Sequence, residues 1–322
     1  MFDVLCVGEA LVDFLPEEPG KSVRNTSRWV RCLGGAPANV TVGVARLGGK
    51  SALVGVVGDD EHGWFLSDEL AREGVDVSHL RHTKEGKTGL AFVSVMQNGE
   101  RSFSFHRENA AEYRLAKQDR DDAFISRAKT VHFGTNSLLT EEARATALEI
   151  AAAAKQRGQI VSSDPNLRLH IWKDPSVLRG LIQSLVGHAT TVKLSEEEIE
   201  FVTGEREPSS ALQWLEQRGV VAAVVTMGAK GAMIRVRGEA RHVEAPKAKV
   251  LDTTGAGDGY TAGWLLGLSR RCANRGELEK LRVDDLLQAA KLGCFVGTKC
   301  TEGMGAVNAL PLASELPIEL FS

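Results

Sequence analysis

Short apolar runs alternate along most of this sequence with segments whose apolar residues return every three to four positions, and no other feature constrains the fold as strongly. Residues 4–8 (Val-Leu-Cys-Val-Gly) read as a buried strand closed by glycine. Val40, Val44 and Leu47 then share one helical face that Gly48-Gly49 ends. The rhythm repeats as strand 52–57 and helix 65–73, strand 130–133 and helix 141–157, and strand 160–161 and helix 177–186. It continues as strand 191–192 and helix 196–203, and it closes on the most apolar strand, 220–226. Strand-then-helix repetition predicts an α/β fold, a three-layer core whose mainly parallel sheet is covered by helices on both faces. Residues 257–301 read as mainly helical.

Two stretches break the rhythm. Residues 11–32 hold no helical period, and residues 89–105 alternate as Leu90, Phe92, then Asn98-Gly99, then Phe103, Phe105. Asn-Gly between alternating segments is a strong hairpin signal. Lid strands inserted at about 11–32 and 88–107 therefore predict a small antiparallel flap beside the site, within one domain spanning residues 1–322.

The net charge of −3 offers no footprint for nucleic acid or a membrane surface. Five scattered cysteines without a C-x-x-C pair argue against a zinc site and against a disulfide framework. No apolar run reaches the roughly 18 residues that span a bilayer. Asp3 also stands where a signal peptide carries positive charge, so a cytoplasmic protein is expected.

The densest chemical signal is Asp252-Thr253-Thr254-Gly255-Ala256-Gly257-Asp258, which runs into an apolar helix. Glycines at a loop-to-helix junction leave backbone N–H groups free to stabilise anionic oxygens. A carboxylate among those donors would repel a phosphate, but it makes sense as the acceptor of a proton from an attacking hydroxyl. The competing role for Asp258 is a helix cap. Upstream, Gly34-Gly35-Ala36-Pro37-Ala38-Asn39 opens the first helix, and Asn39 there suits a polyol hydroxyl or is simply a helix-surface residue.

In this order the two motifs resemble the ribokinase-type (pfkB) carbohydrate kinases over nearly the whole chain, and within them the fructokinases. Further matching stretches are Gly8-Glu9-Ala10-Leu11-Val12-Asp13-Phe14, Phe105-His106-Arg107, Asp164-Pro165-Asn166-Leu167-Arg168 and Lys193-Leu194-Ser195-Glu196-Glu197-Glu198. The resemblance implies ATP-dependent phosphorylation of a sugar hydroxyl under a closing flap. Fructose giving fructose 6-phosphate is the leading substrate. The alternatives are 2-keto-3-deoxygluconate or another sugar or nucleoside, and, in a different class, a non-catalytic sugar sensor.

Carried over by position, Asp258 matches the base, while Gly255, Ala256 and Gly257 match the anion hole. Asp13, Gly34, Gly35, Asn39, Arg107 and Arg168 match the sugar side, with a surface ion pair as the competing role for Arg168. Lys193, Ser195, Thr226, Gly228, Gly231 and Asn308 match the ATP side. Glu198 matches a carboxylate that meets Mg²⁺ through water, with helix capping as its competitor. The resemblance also raises a monovalent cation such as K⁺ beside Asp252 and Thr254, and unpaired flap edges raise a homodimer through the lid. Gly259-Tyr260 departs from the Ala-Phe of most fructokinases.

Overall fold

A computed structural model of the chain describes residues 1–18, 20–95 and 101–320. In chain order the strands are β1 (Phe2–Val7), β2 (Leu11–Pro16), β3 (Trp29–Gly34), β4 (Ser51–Gly58), β5 (Leu80–Thr83), β6 (Leu90–Val95) and β7 (Arg101–His106). They continue as β8 (Ala128–Phe133), β9 (Ile160–Ser163), β10 (Thr191–Ser195), β11 (Ala222–Thr226), β12 (Ala232–Val236) and β13 (Glu239–Val243). The main sheet has the order β13-β12-β11-β10-β9-β8-β1-β4-β5. It is parallel from β11 to β5, and β12 and β13 add an antiparallel edge.

The central strands are apolar at consecutive positions because both faces are covered. All eight residues of β4 are buried. In β1, Val4 and Cys6 join the apolar layer built with helices Ala36–Arg46, Ala256–Arg271 and Leu287–Cys300. Leu5 and Val7 join the opposite layer with helices Glu141–Gln156 and Pro175–His188. Each such side chain contributes roughly 1.5–3 kcal/mol of burial free energy. The α/β expectation and its two helical layers are thus met.

The flap is a second sheet of order β3-β2-β6-β7. Its outer pairs are antiparallel, while the central pair β2/β6 runs parallel. Phe14 of β2 stacks on Phe92 of β6 at 4.7 Å, which ties the two halves of the flap together. The Asn98-Gly99 turn lies outside the described residues. Helix 196–203 proves to be a 3₁₀ turn, Glu196–Glu198, followed by Ile199–Thr203. Strands β5 and β13 carry too little apolar pattern to be read in advance; four of five residues in β13 are exposed.

Candidate active site

The ends of β1, β9 and β10 and the flap frame a cavity of about 430 Å³. Crevices at the carboxyl ends of parallel strands are where open α/β sheets bind ligands. The wall carries Glu9, Asp13, Gly35, Asn39, Arg107, Asn166, Arg168, Lys193, Gly255, Gly257 and Asp258. A second cavity of about 640 Å³ lies on the other side of the same loop, lined by Thr226, Gly228, Gly231, Ala256, Tyr260 and the 245–250 segment. Thr253 and Gly257 belong to both walls, so the two cavities meet at the N-terminus of helix Ala256–Arg271.

That N-terminus is shaped by Gly255, which caps the helix at φ 77° with no side-chain cap bond. A side chain at Gly255 would be strained by that φ and would also press on Ala306 at 2.5 Å. Asp252 braces the loop: its carboxylate accepts from Thr254 N (2.9 Å), Thr254 Oγ1 (2.7 Å) and Gly305 N (2.8 Å). The N–H groups of Gly257 and Asp258 fall in the first turn, which has no intrahelical acceptors for its donors.

Asp258 is not the cap. Asn39 Nδ2 donates to its Oδ2 at 2.8 Å, and Asn166 Nδ2 reaches Oδ1 at 3.4 Å. Burial pushes its pKa up to about 7, opposed by the Asn39 bond and reinforced by Asp164. The sequence suggests that nearby amides would hold this carboxylate ionised; burial outweighs them. Asp13 stands in the same cavity, likewise raised to about 7 by desolvation, with Arg107 and Arg168 pulling it down and Asp258 pushing it up. Gly34 makes room for it, since a side chain there would collide with the Asp13 carboxylate.

Lys193 Nζ donates to Asp164 Oδ2 at 3.0 Å and lies beside Gly257. Asp164 also accepts from Thr261 Oγ1 at 2.9 Å, which fixes the pair against the helix. Arg107 follows β7 directly, is buried, and donates to Glu112 Oε1 (2.9 Å) and the Asn136 carbonyl (3.1 Å). Arg168 is exposed at the cavity rim and donates to the Leu167 carbonyl.

Not every expected residue comes to a wall. Glu198 lines neither cavity, and its carboxylate accepts from Leu167 N (2.7 Å) and Ser195 N (2.8 Å). Ser195 is engaged there through its backbone. Asn308 is directed at Cys32 Sγ (3.6 Å) and is absent from the nucleotide-side wall. Sequence reasoning assigned no role to Asn136, a single loop polar outside every motif, nor to Asn166 itself, although it lies within the matching stretch 164–168. Asn39 Oδ1 and Asn136 Oδ1 are buried with no partner among the described residues.

The family model for "pfkB family carbohydrate kinase" matches residues 1–313. Probable fructokinase-7 of Arabidopsis thaliana is 39% identical over 311 residues, covering 96% of this chain and 89% of its own length. Fructokinase-2 of Zea mays is 36% identical over 309 residues, covering 96% and 91%. Among solved structures, the fructokinase from Xylella fastidiosa with bound ATP superimposes with a TM-score of 0.88 at 31% identity, covering 98% and 97% of the two chains. A fructokinase double mutant from Vibrio cholerae O395, bound to fructose, ADP and potassium ion, gives 0.84 at 33% identity over 96% and 94%. With the Gly255–Asp258 turn placed between two cavities and these matches running almost end to end, the chain belongs to the pfkB family of carbohydrate kinases.

Proposed function

We propose that this kinase is an ATP-dependent fructokinase that transfers the γ-phosphoryl group to the primary hydroxyl of D-fructose, giving fructose 6-phosphate and ADP. The observation that carries the mechanism is Asp258: a carboxylate held by two asparagines, not used as a cap, at the point where the two cavities join. The sugar occupies the 430 Å³ cavity and ATP the larger one. Asp258 takes the hydroxyl proton as the oxygen–phosphorus bond forms and the bond to the ADP oxygen breaks. The Gly257 N–H of the Gly255–Gly257 turn and the Lys193 ammonium stabilise charge on the transferring phosphoryl oxygens.

A neutral polyol suits the sugar side best. The Asp13 carboxylate on the cavity wall takes hydrogen-bond donors, which hydroxyls supply and a carboxylate does not. A coupled ADP-release assay over fructose, other sugars and 2-keto-3-deoxygluconate tests this. Fructose with the highest kcat/KM supports the reading; the keto acid above fructose replaces it with the acidic-substrate alternative.

Magnesium, when bound, offsets phosphate charge. No group of three or more His, Cys, Asp or Glu side chains among the described residues could hold a metal directly. A contact with hydrated Mg²⁺ is proposed for Glu198 on charge alone: its buried carboxylate lines neither cavity, accepts from two backbone N–H groups and lies in the field of Lys193 and Asp164. A K⁺ site is proposed at the braced Asp252–Thr254 loop. A flap-to-flap homodimer is proposed from the edge position of β3, where Val30 is exposed. No helix among the described residues is long and apolar enough to cross a membrane. A cytoplasmic location is proposed because all five cysteines are free and buried, which suits a reducing compartment.

A further inference from the structure

Both legs of the flap hairpin converge on one buried ion pair. Arg107 leaves β7 and donates through Nε to Glu112 Oε1 at 2.9 Å, with the Tyr113 ring 5.3 Å from its guanidinium carbon. Glu112 sits on the 3₁₀ turn Ala111–Arg114, more deeply buried than the arginine it meets. Room for its carboxylate comes from Gly89, just before β6, where any side chain would collide with it. Lys193 is matched in the same way by Asp164 at 3.0 Å. Of the three cations on the sugar-cavity wall, only Arg168 has no ion-pair partner among the described residues.

We propose that Glu112 is a specificity-determining positioning residue, which cancels the charge of Arg107 so that this arginine serves a neutral hydroxyl as a hydrogen-bond donor and does not recruit an anionic sugar. A buried pair that loses one partner leaves an uncompensated charge, and a bound carboxylate is one way to compensate it. Without Glu112 the cavity should therefore gain affinity for sugar acids as it loses affinity for fructose. The inference rests on the reading of this cavity as the sugar site.

Calorimetric titration of purified protein with D-fructose and D-gluconate, beside steady-state kinetics, tests it. Glu112→Gln should shift the ratio of fructose Kd to gluconate Kd at least tenfold toward gluconate, with the ATP KM within twofold. Glu112→Asp should retain the wild-type ratio. Arg107→Gln/Glu112→Gln, which removes both charges, should lose fructose affinity without gaining gluconate affinity. A Glu112→Gln protein that weakens both ligands alike, or changes neither, makes Glu112 merely structural and overturns the proposal. If that variant does not fold, the wild type decides: gluconate must bind more weakly than the uncharged polyol D-glucitol, and tighter gluconate binding overturns the proposal. A wild type that fails to bind fructose at all overturns the sugar reading itself, a distinct result.

Discussion

Replacing Asp258 by Asn should cost activity and add stability, in opposite directions and with different dependences on pH. The carboxylate is raised from 3.8 to about 7 chiefly by burial. Between those two values the folded state keeps a proton that the unfolded chain releases. Stability therefore falls as pH rises through that window, and it levels off above about 7. A rise of that size corresponds to a ceiling of about 4 kcal/mol. Asparagine carries no charge to bury, and its Oδ1 still accepts the 2.8 Å bond from Asn39, while only the longer 3.4 Å contact from Asn166 loses its acceptor. Asp258→Asn should thus be more heat-stable than wild type at pH 8 and equal to it near pH 4. Loss of the general base should lower kcat by roughly 10²–10⁴-fold while leaving the ATP KM nearly unchanged. Thermal unfolding scans from pH 4 to pH 8, paired with the coupled assay, measure both effects. Wild-type kcat/KM should fall about tenfold per pH unit below 7, as Asp258 protonates. A variant destabilised equally at every pH would mean that Asp258 holds structure, and one that turns over at the wild-type rate would remove it from the chemistry.

Gly34→Ala should raise the fructose KM at least tenfold without altering the ATP KM, because the new methyl would displace the Asp13 carboxylate; unchanged fructose kinetics would show that Asp13 does not meet the sugar. Arg168→Ala should raise the fructose KM by one to two orders of magnitude, the worth of a charge-assisted bond of roughly 1.5–3 kcal/mol. It should leave unfolding within about 0.5 kcal/mol of wild type, since the side chain is exposed. Tyr260→Phe removes a buried hydroxyl that has no partner among the described residues, and should raise stability by about 1 kcal/mol in denaturant titrations with kcat within twofold.

The main-sheet strands with continuous apolar runs were legible because burial on both faces writes itself into consecutive residues. Strand β5 (Leu80–Thr83), at the sheet edge with two residues partly exposed, had no such signature. The parallel pairing of β2 with β6 depends on residues about eighty positions apart, and neither strand alone records it. In the site, Asp258, Asn39 and Asp13 were readable because motifs surround them. Glu112 was not, because a lone acid on a 3₁₀ turn looks like any surface acid until Arg107 is seen beside it. The elevated pKa of Asp258 was also hidden, since desolvation belongs to the assembled cavity and not to any stretch of sequence.

The hydrogen bond from Asn39 to Asp258 joins residues 219 positions apart. During synthesis the sugar-side wall from β1 and the first helix emerges long before the base, so a nascent chain that stops near residue 250 holds half a cavity and has no proton acceptor. Such a chain has no Asp258 with which to activate a hydroxyl or a stray water against ATP. Long-range contacts of this kind close late in folding, after their loop-closure entropy has been met by the sheet. Recovery of turnover during refolding should accordingly lag behind recovery of secondary structure, making catalytic activity a marker for completion of the final third of the molecule.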